Sequence, residues 1–413
     1  MSGPSSDGCP STGDVSTRDA LRARILKQIR ASRGHRKPDE SDEDTHPTGS
    51  ATGDTHPTQK TGDTHPTGEQ AADPGLDDLL RDIAAYQAAR VQPYGHLCAA
   101  QPSSASEWAP ALPTDVFRYA RVSSYPESED THVFRTSGTS SGARGAHAFR
   151  DLTLYDAAAR THAAHMLFPD IPGMSLVMLA EHPQHAPQSS LSYMLGRFES
   201  WFGTGAATWC LQGATLDVDA LCDALGRAAK EQTPVAILGT SFAFVFAEDA
   251  LGDRMFELPA GSRIMQTGGY KGRSRELEPD VLRQMLSARY GVDEAYIVAE
   301  YGMTELSSQL YEASLRDRFE GHPSPRRHLV APPWVRATPV HPETLRPVGQ
   351  GEVGVLRIDD AANLDSVAAI LTSDLASLAT DASQGVILHG RAADAMLRGC
   401  SLSVEEALKS RAE

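Results

Sequence analysis

Apolar residues come in short bursts along most of this chain, and each burst ends in glycine or a small hydroxyl residue. "HVFRTSG", "SLVMLAE", "PVAILGT", "SRIMQTGG" and "EAYIVAEYG" have the length and β-branched or aromatic content of strands. Between them, the segments from Leu152 to Phe168 and from Pro279 to Tyr290 space their apolar residues as helices do, and so does "LDDLLRDIAAYQAARV" upstream. Strand, tight turn and helix in repetition predict an α/β fold with parallel-rich sheets. Further on the pattern turns strand-rich, with "GEVGVLRI", "VAAILTSD" and "GVILHGR". The chain ends soon afterwards, so no second sizeable domain is expected.

The first seventy or so residues follow a different rule. "DTHPTG", "DTHPTQ" and "DTHPTG" recur among Ser, Thr, Gly, Pro and Asp, which leaves too little apolar surface to offset the entropy of ordering. His46, His56 and His65 could gather a metal; a solvated tail is the simpler reading. Within this region "TRDALRARILKQIRAS" sets Leu21, Ile25, Leu26 and Ile29 on one helical face among basic residues. Such a helix could dock on a partner or a membrane surface, or pack on its own protein. The expected division is a tail over 1–73 with a short helix at 18–32, a main domain over 74–390, and a terminal segment over 391–413 carrying Cys400.

Charge and cysteine usage narrow the function. A formal net charge of −16 over 413 residues argues against a nucleic-acid partner. No apolar run approaches the roughly 18 residues that span a bilayer, and the start lacks the pattern of a signal peptide. Cys9, Cys98, Cys210, Cys222 and Cys400 are odd in number and scattered, which predicts a reducing cytoplasm rather than a disulfide framework or zinc site.

Candidate chemistry lies at the strand ends. In "FRTSGTSSGARGAH" a strand through Val133 and Phe134 enters a loop where Gly138, Gly142 and Gly145 allow close backbone approach. Thr136, Ser137, Thr139, Ser140 and Ser141 add hydroxyl donors, a composition suited to a polyphosphate or to a flexible turn. It is not a Walker loop, since no G-K-[ST] follows. "AEYGMTELSSQLY" places the Thr304 hydroxyl where it can meet a phosphate and the Glu305 carboxylate where it can hold Mg2+. The glycine pair of "MQTGGYKGR" would let a flat ring lie against the backbone. "LTSDLAS" offers Asp374 to ribose hydroxyls, and "HGRAADAMLRG" supplies Arg391 and Arg398. An H-x-x-H metal pair at His182 and His185 is disfavoured because Pro183 breaks the helix that would align them. "LGTSFAF" lacks the second glycine of a hydrolase nucleophile elbow.

The order of these motifs resembles the adenylate-forming superfamily of acyl and aryl acid ligases. "RHLVAPPWVRATPVHPETLRPVGQGEVG", "TGGYKGR", "YGMTELSSQLY" and the terminal "RGCSLSVEEAL" together resemble the acyl-protein synthetase (LuxE-type) family, from about Pro74 to the end. The Pro-Pro-Trp segment and the cysteine-bearing terminus mark the narrower family. The resemblance implies ATP and Mg2+ as cofactors, a carboxylic acid of fatty acyl type as substrate, and an acyl-accepting reductase or other thiol protein as partner. It implies that Thr136, Ser137, Gly138, Thr139, Ser140 and Gly142 cradle pyrophosphate, that Gly268, Gly269 and Tyr270 face adenine, and that Tyr301 and Thr304 flank the nucleotide. Glu305 would bind Mg2+, and Asp374 with Arg391 would hold the ribose. "EHPQHAPQSSLSYM" resembles a loop bordering the acyl pocket, which points to His185, Ser189 and Ser190 as substrate contacts. The lysine-bearing C-terminal domain of many superfamily members has no counterpart after Gly390, and Lys271 is a candidate substitute cation or a surface lysine.

An acyl-adenylate is a mixed anhydride that water destroys, so it calls for a sheltered nucleophile, and a thiolate fits. Ser403 followed by Glu406 is a capping box, which predicts a helix whose positive end faces Cys400. Arg398 adds a cation, while Glu405 and Glu406 oppose it. Cys98, Cys210 and Cys222 sit in apolar contexts and read as packing residues. Two other outcomes stay open: transfer of the acyl group to coenzyme A, or a non-catalytic relative that only binds.

Overall fold

The computed structural model describes residues 12–32, 74–101, 109–137, 143–213, 215–268, 277–321, 326–379 and 385–392, with Val404, Ala407 and Leu408. Helices α1 (Thr12–Ala31), α2 (Pro74–Ala88) and α3 (Gln92–Ala100) come first, followed by β1 (Leu112–Pro113) and α4 (Val116–Tyr119). A hairpin of β2 (His132–Arg135) and β3 (Ala146–Phe149) leads into α5 (Thr153–Met166), β4 (Ser175–Glu181) and α6 (Ser190–Phe202). Then come β5 (Thr208–Gln212), β6 (Thr215–Leu216), α7 (Val218–Glu231), β7 (Val235–Thr240), α8 (Ser241–Leu251), β8 (Arg263–Thr267), α9 (Pro279–Tyr290) and β9 (Ile297–Tyr301). The remainder is β10 (Leu310–Glu312), α10 (Ser314–Glu320), β11 (Leu329–Val330), β12 (Val335–Val340), β13 (Gly354–Asp360), β14 (Ala369–Leu378) and β15 (Gly385–Arg391).

Where strands alternate with helices, β5, β4, β7, β8 and β9 pair in parallel, as expected for strands joined by helical crossovers. These strands are near-continuous apolar runs because both faces are covered. Leu176, Met178, Leu238, Met265 and Val298 pack with α5 and α6 on one face. Val177, Leu179, Ile237, Ile264 and Ile297 pack with α7, α8 and α9 on the other. The helix starts are fixed by side chains: Ser189, Asp217 and Thr240 cap α6, α7 and α8, each accepting from a backbone N–H in the first turn. Beyond β9 the sheet continues antiparallel through β10, β11, β15, β14, β13 and β12.

Two expectations resolve differently from a uniform parallel sheet. "HVFRTSG" does not join the main sheet; β2 folds back on β3 as a separate antiparallel pair, because the intervening loop is too short for a helical crossover. The helix expected at 18–32 runs Thr12–Ala31 and packs on its own protein. Leu21, Ile25 and Ile29 are buried in one cluster with Leu79 and Ile83 of α2 and Leu154 of α5. The His-Pro-Thr repeats lie outside the described residues. Among the described residues no helix is long and apolar enough to cross a membrane.

Candidate nucleotide and acyl site

The base of the Ser/Gly loop is closed by the chain itself. Thr136 N donates to Gly145 O at 2.9 Å, and Gly145 N donates to Thr136 Oγ1 at 2.9 Å. The Arg144 guanidinium donates to the carbonyls of Thr136 and Arg135, which puts a cation at the loop's base that the sequence reading does not single out. Ser137 is the last described residue before the gap; Gly138, Thr139, Ser140 and Gly142 lie outside the described residues. Arg135 N donates to Gln188 O at 2.9 Å, so this base also abuts the turn that begins α6.

The same hairpin reaches the loop after β9. His147 on β3 is buried, and its Nδ1 lies 2.8 Å from Thr304 O. A carbonyl only accepts, so Nδ1 carries the proton and donates. Burial pushes the His147 imidazole down to about 4, which keeps it neutral.

Tyr301, at the end of β9, donates its hydroxyl to Asp374 Oδ2 at 2.8 Å. Asp374 on β14 stands opposite Arg391 on β15, with Arg391 Nε 3.5 Å from Asp374 Oδ1. Burial, then the Asp374 carboxylate, raise Tyr301 well above the ordinary phenol range, and Glu305 adds to the effect from nearby. Three residues proposed for the nucleotide are thus in one contact chain.

The loop following Tyr301 is held from behind. Ser307 N and Ser308 N donate to Asp360 Oδ2 at 3.0 and 2.8 Å, and Ser308 Oγ donates to Asp360 Oδ1 at 2.8 Å. Asn363 Nδ2 donates to Glu305 O at 2.8 Å, and Trp334 Nε1 donates to Ser308 Oγ at 3.0 Å. The indole of the Pro-Pro-Trp segment therefore pins the loop that carries Thr304 and Glu305. Burial raises Asp360 to about 6 against the pull of its four hydrogen bonds. Sequence reasoning does not find Asp360 and Asn363; the available signal is the Asx-rich "DDAANLD" directly after a strand.

On β8 and β9, Thr267 donates to Glu300 Oε2. Glu300 is buried, and desolvation lifts it to about 7. Gly302 lies close against this carboxylate, where a Cβ would stand 2.5 Å from Glu300 Oε1 and displace it. Gly268 adopts φ +70°, and its carbonyl accepts from Ser241 Oγ at 2.9 Å. The strand-end glycine turn is thereby anchored to the start of α8. Gly269, Tyr270 and Lys271 lie outside the described residues.

On the α6 side, Ser189 accepts from Ser192 N at 3.1 Å, and Ser190 O accepts from Tyr155 Oη at 3.3 Å. His185 closes a turn by donating its N–H to His182 O at 2.9 Å. No group of three or more metal-holding side chains occurs among the described residues. Cys400 lies outside them. Beyond it, Val404, Ala407 and Leu408 are helical as the capping box predicts, and Ala407, buried, places its carbonyl 3.2 Å from His96 Nδ1 on α3.

Loops from the C-terminal ends of parallel strands, joined to a small-residue hairpin and to Asp374, define the class: this is the fold of an adenylate-forming ligase. The chain aligns on 2-hydroxyisobutyryl-CoA ligase, solved with 2-HIB-AMP and CoA, at TM-score 0.54 and 13% identity over 78% of this chain and 76% of that one. The chain is a ligase that belongs to the acyl-protein synthetase family, LuxE, whose model matches residues 103–409. It is 24% identical to the long-chain-fatty-acid–luciferin-component ligase of Aliivibrio fischeri, over 72% of this chain and 78% of that protein. It spans 47% of an ATP-bound RpMatB–BxBclM chimera, at 15% identity, 63% coverage of this chain and TM-score 0.45.

Proposed function

We propose that the protein uses ATP to activate a carboxylic acid, of the long-chain fatty type, as an acyl-adenylate and passes the acyl group to Cys400 and then to a thiol of a partner protein. The observation that carries this reading is the Tyr301–Asp374–Arg391 contact next to the loop whose Thr304 carbonyl binds His147, on the same hairpin that Thr136 and Gly145 close. In the first step a carboxylate oxygen attacks the α-phosphorus and pyrophosphate leaves. Both reactants are anionic, so rate depends on positioning and on fixed donors. The loop of residues 136–145 would cradle the pyrophosphate end, Gly268, Gly269 and Tyr270 the base, and Asp374 the ribose. Glu305 would hold Mg2+, which when bound offsets polyphosphate charge; a buried carboxylate on a loop braced by Asp360 and Asn363 suits a hard cation. Thr304 would donate to a phosphate oxygen, and Lys271 would supply a cation to the reacting carboxylate and phosphate. His185, Ser189 and Ser190 would border the acyl group.

In the second step the Cys400 thiolate attacks the acyl carbon, the acyl–phosphate bond breaks, and AMP departs with the electron pair. A thioester keeps the acyl group reactive toward the partner's thiol, for which an acyl-accepting reductase is the expected type. Two of the described thiols do not compete well. Burial raises Cys98, and it pushes Cys210 up to about 12. Cys98, Cys210 and Cys222 are free, and a reducing cytoplasm is the expected setting. The test is incubation with labelled acid and MgATP without coenzyme A. Label retained on denatured protein and absent from Cys400→Ala is expected; label leaving the site only when coenzyme A is supplied would contradict the transfer to Cys400.

A further inference from the structure

The sheet carries a polar row that the nucleotide reading does not use. Thr267, Glu300 and Tyr311 stand side by side across β8, β9 and β10, since Thr267 registers with Glu300 and Glu300 with Tyr311. Neighbours across strands in register present their side chains to the same face of the sheet. Here that face is the one covered by α5 and α6, among Met265, Val298, Phe134 and Phe149. Tyr155 of α5 lies over the row: its hydroxyl reaches the Ser190 carbonyl, and both it and Tyr311 feel the Glu300 carboxylate.

Two features of this row are unfinished. Tyr311 is 0% exposed, and its hydroxyl has no hydrogen-bond partner among the described residues. Glu300 is 6% exposed; Thr267 bonds its Oε2, and no described residue bonds Oε1 or places a cation on the carboxylate. An apolar wall of this kind normally excludes such groups, because a buried polar group without a partner has lost its water and gained nothing in return. Convergent, incompletely satisfied polar groups in an apolar setting are the usual make-up of a small-molecule pocket. The row also lies at the carboxyl ends of parallel strands, beside Gly268 and Tyr301, where ligands of open α/β sheets bind.

We propose that Thr267, Glu300 and Tyr311, roofed by Tyr155, form the floor of the acyl pocket and select an acid whose acyl group carries a hydrogen-bond donor, a hydroxyl or an ammonium, over the plain alkanoic acid of equal length. This rests on the adenylation reading and specifies its substrate class. The donor is taken by Glu300 Oε1, and the Tyr311 hydroxyl completes its pairing on the same substituent. Glu300 is a specificity residue here, since it meets the acyl group and not the reacting carboxylate.

The test measures acid-dependent ATP–pyrophosphate exchange across alkanoic acids and their hydroxy and amino counterparts of matched length, with calorimetric binding of each acid in parallel. The wild type is expected to favour a donor-bearing acid by at least about a hundredfold in kcat/KM, a ratio that sites built around a substrate hydroxyl exceed. Glu300→Leu abolishes that preference. Glu300→Gln, nearly isosteric, keeps an acceptor oxygen and therefore keeps a preference for hydroxyl while losing one for ammonium. Thermal melting of each variant confirms that it is folded. A wild type that favours plain alkanoic acids, or a folded Glu300→Leu that retains the preference, overturns the inference while leaving adenylation standing. Binding of a donor-bearing acid that Glu300→Leu loses, with no exchange from any acid, overturns adenylation and supports the floor.

Discussion

His147 shows how one side chain can join two parts of a site and leave a signature in stability. It is buried, neutral, and donates to the backbone beside Glu305. In the unfolded chain its pKa is 6.5, in the folded protein about 4. Between those values the unfolded state binds the proton and the folded state does not, so the contribution of His147 is present above pH 6.5 and is lost as pH falls toward 4. A shift of that size corresponds to roughly 3 kcal/mol. His162, lowered to about 3 by burial, acts in the same direction. Glu300 and Asp360 act oppositely, since raised carboxyls favour the folded state at low pH and lose that contribution as pH rises through about 7 and about 6. The asparagine of His147→Asn can still donate to Thr304 O but cannot titrate. Urea unfolding at a series of pH values should show a shallower fall between pH 6.5 and 4 for this variant than for the wild type; parallel curves would remove His147 from the acid response.

At the scale of elements, the loop carrying Glu305 is clamped by parts of the chain distant in sequence. Gln87 of α2 donates Nε2 to Asn363 O at 2.8 Å and Leu364 O at 3.0 Å, and its Oε1 accepts from Ala368 N at 2.9 Å. Arg18 of α1 pairs with Asp365 and lies 3.3 Å from Asp151, while Gln28 donates to Pro333 O at 3.1 Å, next to Trp334. These helices precede the residues matched by the family model, which begins at 103. Ile25→Ala removes a side chain that is 0% exposed and should cost about 2–5 kcal/mol in urea unfolding. Gln87→Leu strands the Leu364 carbonyl and the Ala368 N–H, each worth about 1–3 kcal/mol, while Asn363 O keeps Ser366 N. It should also raise the KM for ATP in the exchange reaction more than it lowers kcat, because the 360–368 turn braces the loop proposed to hold the nucleotide. An unchanged KM would confine Gln87 to folding.

This is also the scale at which the sequence is most and least legible. Strands such as Val235–Thr240 and the helix Pro279–Tyr290 are visible as short apolar runs and 3.6-residue spacing, because burial on both faces or on one face leaves a local pattern. The pairing of Tyr301 with Asp374 and Arg391 is approachable because each lies in a recognisable motif, although Asp374, expected at a strand end, sits inside β14 at a break in its register with β15. Glu300, His147 and Asp360 are not: one Glu, one His and one Asp among many take their meaning from neighbours dozens of residues away. The β2–β3 hairpin reads as part of the parallel sheet for the same reason, since pairing partners are not written in the period of a strand.

In the whole molecule, loops gathered at one end of a sheet would join a nucleotide to an acid, with a thiol near the chain terminus to receive the product. Acid-dependent exchange of labelled pyrophosphate into ATP tests that most directly, because it reports adenylate formation before any transfer. Exchange that requires both an acid and Mg2+, that persists in Cys400→Ala, and that falls by at least about a hundredfold in Glu305→Gln is the predicted result. No exchange with any acid by a folded wild-type protein that contains all of these loops, or full exchange in Glu305→Gln, would contradict it.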